Sequence, residues 1–357
     1  MLSIKKEGVL VSSVDFEPST RGFEVVGAFN PGVAELKNGK IVLYVRIAEK
    51  PVKIWRENEI SAPRFVSNKK FRLKLDKFRR NELRSIHSPY GFHHKDGRVR
   101  LVNISHLRRV FLDKGGFSVE KIEQKPAFYG TVDDGELGIE DPCITRMGNK
   151  YIMTYVALSR SNGISTSYAV SNDGIKWHKR GIIFRHQNKD VVLFPEKVRG
   201  RYVAFNRPEG NLNFSLPHMW ISYSRDLEYW GDDETVLLSQ RGWDSIRAGA
   251  GAAPIKTKKG WLEFYHGVRK TKHEKQYCVG VALFDLKNPS KLIAKSHEPF
   301  IVPTMKEEKK GFVHDVVFPT GAILNKKSVL LYSGGADRVV ICREIELEEI
   351  FKYLKKR

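Results

Sequence analysis

Glu140 and Asp141 stand directly before Pro142 in the stretch Gly138 to Ser159 (GIEDPCITRMGNKYIMTYVALS), where two alternating apolar segments meet at Gly148-Asn149. That pattern predicts a β-hairpin with carboxylates at its entrance. Pro142 has no N–H to donate and biases Asp141 towards an extended backbone. Asp141 is therefore expected at the very start of the strand, outside the ladder, with its carboxyl free to face a cleft and move a proton. Polar residues at the ends of other apolar strands could join it there: Asn30, Arg46, Lys189, Asp190, Arg207, Arg247, His266 and Asp337. Acids and bases gathered from separate strands are costly as a structural core. Around a polar, partly anionic ligand they have a use.

The elements that must bring these residues together are strands. An apolar strand, a turn and an aromatic-rich strand recur five times, at Gly32 to Ile47, Asp141 to Ala157, Phe194 to Pro208, Ala252 to Val268 and Phe318 to Gly334. The last four copies start about 50 to 65 residues apart, the scale of one four-stranded propeller blade. Two further hairpins, Ser167 to Phe184 and Ile221 to Leu237, share Ser-x-Asp-x-x-x-Trp, and Val281 to Pro303 is a looser version. There Asp173 and Asp226 are expected to bond turn amides, and Trp177 and Trp230 to pack between sheets. The prediction is an all-β chain, a five-bladed β-propeller forming one domain over residues 1–357, with its inner strand ends converging on a central funnel. Pro51 to Gly130 is the least regular part. Its basic stretch Lys69 to Arg84 reads as solvated surface, and a hairpin near His94 to His106 as blade edge plus a loop over one face. Glu344 to Lys356 places Leu347, Ile350, Phe351 and Leu354 at helical spacing with basic residues in the last turn, predicting a short C-terminal helix packed on the outside.

Composition narrows the function classes. A chain of 357 residues can bury roughly 75% of its unfolded surface and needs no staples. Cys143, Cys278 and Cys342 are too few and too widely spaced for a disulfide framework or a Cys-based zinc site, and read as reduced thiols. The N-terminal Met-Leu-Ser-Ile-Lys-Lys-Glu has no signal-peptide pattern, and no apolar run approaches the roughly 18 residues of a membrane span, so a cytoplasmic protein with no membrane partner is expected. A net charge of +21 and a pI near 9.7 attract polyanions. The Lys and Arg, however, are spread as doublets with acids between them, and no nucleic-acid-binding motif is present, so no nucleic-acid partner is expected. Abundant Lys, Arg and Glu with few Gln suit a thermostable surface.

Eight segments, in order, resemble those of glycoside hydrolase family 130. They are Phe29-Asn30-Pro31, Gly138 to Pro142, Lys189 to Lys197, Asn206-Arg207-Pro208, Ala248 to Gly251, Tyr265-His266-Gly267, Phe318 to Gly321 and Gly335-Ala336-Asp337. The resemblance implies a five-bladed propeller acting on β-mannosides, mostly by phosphorolysis and in some members by hydrolysis. Phe23 to Asn30 and Arg46 to Pro51 are most similar to members acting on β-1,2-linked mannose. The resemblance further implies that Asp141 is the general acid, protonating the leaving oxygen through the mannosyl 3-hydroxyl. It puts Lys189, Arg207, Arg247 and His266 on phosphate, and Asn30, Arg46, Asp190 and Asp337 on the mannosyl unit. The chain departs from the family pattern where Lys189 and Arg247 exchange Lys and Arg, and where Cys143 replaces the Arg that often follows Glu-Asp-Pro. Lys binds phosphate as a point charge, whereas Arg can be bidentate.

The chemistry of the nucleophile points the same way. An inverting hydrolase needs a second carboxylate, roughly 6.5 to 9.5 Å from the acid, to deprotonate water. Phosphate is already anionic and needs a cationic clamp instead, which Lys189, Arg207 and Arg247 supply with His266 as donor. The expected reaction is inverting phosphorolysis of a β-manno-oligosaccharide to α-D-mannose 1-phosphate, with inorganic phosphate as co-substrate and no metal or other cofactor. A homo-oligomer is left open. The alternatives are a β-mannosidase with Glu196, Glu209 or Glu263 as base, and a non-catalytic glycan-binding propeller.

Overall fold

The structure, a computed structural model, describes residues 3–87, 90–209, 214–239, 242–271 and 275–355. The chain is all-β, built on five antiparallel sheets. The first joins Phe23–Glu35, Ile41–Pro51, Ile104–Leu112 and Val119–Ile122, and the second Gly138–Met147, Lys150–Ser159, Gly163–Ser171 and His178–Phe184. The third joins Asn188–Leu193, Tyr202–Pro208, Met219–Ser224 and Trp230–Leu237. The fourth joins Arg247–Ala250, Gly260–Lys270, Lys275–Phe284 and Leu292–Lys295, with Ile255–Thr257 also pairing to Gly260–Lys270. The fifth joins Val317–Asn325, Ser328–Gly335, Val339–Glu346 and, from the other end of the chain, Lys6–Ser12. Lys6 sits opposite Glu344 and Ser12 opposite Val339, so the two ends of the chain close one sheet.

Packing explains why the middle strands read as unbroken apolar runs. In Ile41–Pro51, the side chains of Ile41, Leu43, Val45 and Ile47 enter the core shared with the fifth sheet, while those of Val42 and Tyr44 enter the core shared with the second. Alternate side chains point to opposite faces of a strand, and from Ile41 to Val45 both faces are covered, so no polar residue stands there; Arg46 and Glu49 follow towards the end of the strand. Further cores join the second sheet to the third, the third to the fourth and the fourth to the fifth. The first strands of the first four sheets contact one another in chain order, the fourth sheet meets Val317–Asn325 through Ile255–Thr257, Gly260–Lys270 and Lys275–Phe284, and Val317–Asn325 returns to meet Phe23–Glu35.

The Ser-x-Asp-x-x-x-Trp hairpins behave as expected. Asp173 Oδ1 accepts the amides of Ile175 and Lys176, both at 2.8 Å, and Asp226 Oδ1 accepts those of Glu228 and Tyr229, both at 2.9 Å. Trp177 meets Tyr44 of the first sheet edge-on at 5.7 Å, and Trp230 packs on Phe184 of the second at 5.4 Å. The looser third copy keeps the turn, since Asp285 Oδ1 accepts the amides of Lys287 and Asn288.

Four expectations are corrected. In the third copy the first strand lies just before the predicted segment, at Asn188–Leu193, and in the fourth the predicted hairpin forms through Ile255–Thr257 but a further strand, Arg247–Ala250, precedes it, because short strands flanked by charge carry little periodic signal. The irregular region forms two three-stranded sheets of its own, Trp55–Arg56, Glu59–Phe65 and Leu73–Arg79, then Leu83–His87, Gly91–His94 and Val99–Leu101. His94 to His106 is therefore not one hairpin, since Ile104–Leu112 belongs to the first large sheet, and the basic stretch is partly a strand whose Leu73 and Phe78 pack inward. Glu344 to Glu346 end a strand, and the helix is Leu347–Lys355, burying Ile350 and Phe351; Lys356 lies outside the described residues. Finally, Gly138–Met147 begins three residues before Asp141, which is out of the ladder but inside the strand. No helix among the described residues is long and apolar enough to cross a membrane.

Candidate active site

Three of the sheets interrupt their first strand in the same way. The ladder breaks between Phe29 and Gly32, between Glu140 and Cys143, and between Lys189 and Val192. At these bulges Asn30, Asp141 and Asp190 take φ values of 44°, 45° and 54°. A bulge bends the strand and re-aims a side chain, and the left-handed region it uses here is one that Asn and Asp tolerate. Asp337 arrives differently. It and Ala336 are the central residues, at φ 52° and 47°, of the tight turn closed by Arg338 N–H donating to the Gly335 carbonyl at 2.9 Å.

All nine residues singled out from the sequence line one cavity of about 150 Å³, together with Tyr277, Val313, Val316 and Phe318. On one side, Arg46 donates to Asp141 Oδ1 at 2.9 Å and to Glu140 Oε1 at 2.6 Å, and its guanidinium lies 4.7 Å from the centre of the Phe29 ring. Asn30 Nδ2 donates to the same Asp141 oxygen at 2.8 Å. Lys189 Nζ stands 3.8 Å from Asp141 Oδ2 and 3.9 Å from Glu140 Oε2. On the other side, Arg207 Nε donates to Asp190 Oδ2 at 2.5 Å, and His266 Nε2 lies 3.4 Å from that oxygen. Glu209 Oε1 accepts from both Arg207 and Arg247, the latter at 2.9 Å. Gly249 lies beneath this cluster, where a Cβ would collide with Asp190 Oδ2, His266 and Arg207 Nε. Asn30 Oδ1 and Arg247 Nε are buried without a hydrogen-bond partner, a deficit expected where a ligand completes the set.

The electrostatics separate the carboxyls. Burial alone would raise Asp141, but Arg46, Lys189 and the Asn30 amide hold it below the usual range. Burial opposed by Arg207 and Lys189 leaves Asp190 down at about 2. For Asp337 burial wins, reinforced by the neighbouring charges of Asp141 and Glu140, and the carboxyl is pushed up to about 7. Burial pulls His266 down to about 4, so its imidazole is neutral near pH 7.

Of the carboxylates considered as a hydrolytic base, Glu196 is exposed and paired with Lys256. Glu263 is sealed in the core, its Oε1 accepting the Gly251 amide at 3.0 Å. Only Glu209 reaches the site, held between two arginines. Sequence reasoning assigned no role to Glu140, which the Glu-Asp-Pro motif could have suggested, nor to Tyr277, whose strand carries no motif.

Residues 107–356 match the family described as β-1,4-mannooligosaccharide phosphorylase, glycoside hydrolase family 130. The chain is 35% identical, over 98% of its length and 97% of the relative's, to a β-1,2-mannobiose phosphorylase of Listeria innocua. It is 33% identical, over 67% of its length and 78% of the relative's, to a 1,2-β-oligomannan phosphorylase of Thermoanaerobacter. Among solved structures, the Listeria innocua β-1,2-mannobiose phosphorylase in complex with β-1,2-mannobiose superposes with a TM-score of 0.89 at 34% identity, covering 98% of this chain and 97% of that one. A structure from a study of family members that hydrolyse β-1,2-mannosidic linkages in Candida mannan shares the fold, with a TM-score of 0.68 at 23% identity, covering 90% of this chain and 85% of that one. With a family match over most of the chain and a relative 35% identical almost end to end, the chain belongs to glycoside hydrolase family 130.

Proposed function

We infer that the chain catalyses inverting phosphorolysis of β-1,2-linked manno-oligosaccharides, releasing α-D-mannose 1-phosphate and a shortened saccharide. The observation that carries this reading is the placement of Asp141 beside Lys189, Arg207, Arg247 and His266 around one small cavity. The five sheets, each packed on the next and the last on the first, are read as the blades of a five-bladed propeller in a single domain, with the cavity at its axis. The relatives named for β-1,2 linkages favour that linkage over the β-1,4 linkage of the family description.

The charges explain how the acid acquires its proton. Arg46, Lys189, Arg207 and Arg247 face Glu140, Asp141, Asp190 and Glu209, so four cations already meet four carboxylates. A phosphate anion entering beside Lys189 and the two arginines adds charge that nothing balances. It raises the pKa of the neighbouring carboxyls: Asp337, already pushed up to about 7, becomes protonated, and Asp141 is moved towards the protonated form that its acid role needs. Asp141 then serves as general acid towards the leaving oxygen, through the mannosyl 3-hydroxyl, while phosphate, aligned by Arg207, Arg247 and Lys189, attacks the anomeric carbon from the opposite face. Asn30, Arg46, Asp190 and Asp337 hold the mannosyl unit. Asp190 and Glu209 are tied to Arg207 and are poor candidates to deprotonate water, which weighs against the hydrolase. The test is to incubate the protein with β-1,2- and β-1,4-mannobiose, with and without phosphate, and to assay mannose and mannose 1-phosphate. Saturable dependence on phosphate with the β-1,2 substrate is expected; mannose release at equal rate without phosphate would favour the hydrolase.

A further inference from the structure

A separate hollow of about 500 Å³ opens where the last strand of the second sheet meets the third sheet, and it shares no lining residue with the inner cavity. Asn188, Asn206, Trp220, Tyr229, Trp230 and Asp233 form its third-sheet side. Asn188 directly precedes Lys189, and Asn206 directly precedes Arg207. Neighbours along a strand point to opposite faces, so the strands that present Lys189 and Arg207 to the cavity turn their two asparagines to this hollow.

Hydrogen bonds fix how these amides are turned. Asp233, exposed at the rim, can only accept as a carboxylate, so Ser222 Oγ gives it its proton. Asn206 Nδ2 therefore donates to Ser222 Oγ, at 2.7 Å, and Asn188 Nδ2 donates to Asn206 Oδ1, at 2.9 Å. Reversing the Asn188 amide would set oxygen against oxygen. The relay thus ends on Asn188 Oδ1, which is buried and meets no hydrogen-bond partner among the described residues. A buried acceptor left this way is costly until a donor reaches it.

Aromatic surface stands around these amides. Trp230 is fixed, its ring against Phe184 and its Nε1 donating to the Leu227 carbonyl at 2.9 Å. Trp220 is half-buried, and Tyr229 is 79% exposed, which leaves ring surface open to a ligand. The charged residues of the lining are Arg185, Glu228 and Asp233, one cation against two carboxylates, in a chain whose net charge is +21. That local balance disfavours an anion. Rings for C–H faces, amides and a carboxylate for hydroxyls, and no surplus positive charge together describe a neutral saccharide.

We propose that this hollow is a second, non-catalytic binding site for a neutral manno-oligosaccharide. Tyr229 and Trp220 lie against its sugar rings, and Asn188 Oδ1 accepts one of its hydroxyls. The choice of sugar rests on the phosphorolysis reading above; the site itself rests on the amide relay, the rings and the charge balance.

The test titrates β-1,2-mannotriose into the full-length protein in phosphate-free buffer and follows the indole N–H signals of Trp220 and Trp230 by NMR, with Trp220→Phe to assign the first. Both signals should shift saturably. Tyr229→Ala, at an exposed position, should raise the half-saturating concentration by about tenfold. Asn188→Ala, checked for folding by a thermal melt, should do the same. A Trp220 signal that ignores the sugar, or a half-saturation unchanged in Tyr229→Ala, would overturn the proposal. So would sedimentation that shows a dimer which Tyr229→Ala takes apart, because the hollow then seats a second copy of the chain. Mannose released during the titration would sink the phosphorolysis reading instead, and the same titration of Asp141→Asn would still decide the role of the hollow.

Discussion

Asn30 and Asp141 occupy the same place in two neighbouring sheets: each precedes a proline, each sits in a bulge of a first strand at φ near 45°, and Asn30 Nδ2 donates to Asp141 Oδ1 at 2.8 Å. The extended backbone expected of a residue before proline gives way to the demand of the bulge. An amide thus faces the carboxyl proposed as the acid, and it binds the charged form. Asp141 is therefore set to be ionised in the empty site and to take up a proton only when its surroundings change.

Asp141→Asn should lower kcat for phosphorolysis by about 10²- to 10⁴-fold, the usual worth of a positioned acid. Asn tolerates the same positive φ but lacks the charge that faces Arg46 and Lys189, so the melting temperature should fall while the fold is kept. A phosphorolysis assay beside a thermal melt separates the two effects. Near-full activity would remove Asp141 from the acid role.

Phosphate binding near pH 7 should be accompanied by proton uptake. Calorimetry in buffers of different ionisation enthalpy measures it; with Asp337, at about 7, removed as a proton acceptor in Asp337→Asn, the remaining uptake should shrink when Asp141→Asn is added. An uptake of equal size in both proteins would mean that the proton goes elsewhere.

Arg247→Ala removes a charge-assisted contact of roughly 1.5 to 3 kcal/mol, so kcat/KM for phosphate should fall by about tenfold or more. Glu209 keeps Arg207 as partner, and the fold should survive. Saturating phosphate should raise the melting temperature of the wild type more than that of the variant. Lys258→Ala, on an exposed turn, should change stability by under about 0.5 kcal/mol and leave phosphate kinetics alone.

Gly249→Ala puts a methyl group against Asp190, His266 and Arg207. Overpacking of this kind costs about 1 to 3 kcal/mol, and here it falls on groups that must converge. Activity should drop far more than in Gly8→Ala, where a Cβ meets nothing within 4 Å.

Asp337 titrates at about 7 in the folded chain, above its ordinary 3.8. The folded state therefore binds more protons than the unfolded state between those values. The stability contributed by protonated Asp337 is complete below 3.8 and lost as the pH rises through 7. Asp337→Asn keeps a neutral group at every pH. The melting temperature of Asp337→Asn relative to the wild type should therefore rise from pH 5 to pH 8. A difference that is flat or falls over that range would contradict the raised pKa.

Local pattern was enough to reveal the five repeats with most of their strands, the Asp turns with their packed Trp and the nine polar residues of the cavity, because strand periodicity, turn chemistry and short motifs are written in neighbouring residues; the two three-stranded sheets between Trp55 and Leu101 were not legible there. Other features needed the tertiary structure. The positive φ at Asn30, Asp141 and Asp190 depends on a bulge, which exists only against a partner strand in a given register. The union of Lys6–Ser12 with Val339–Glu346 joins the two ends of the chain, and no local signal announces it. Glu209 became the clasp of Arg207 and Arg247 because the third and fourth sheets meet there, 38 residues apart in the case of Arg247. Asp141 and Asp337 are the same residue type, yet one is held ionised and the other is pushed towards neutrality. Burial and through-space distance to Arg46 and Lys189 decide that difference, and neither exists until the sheets are packed.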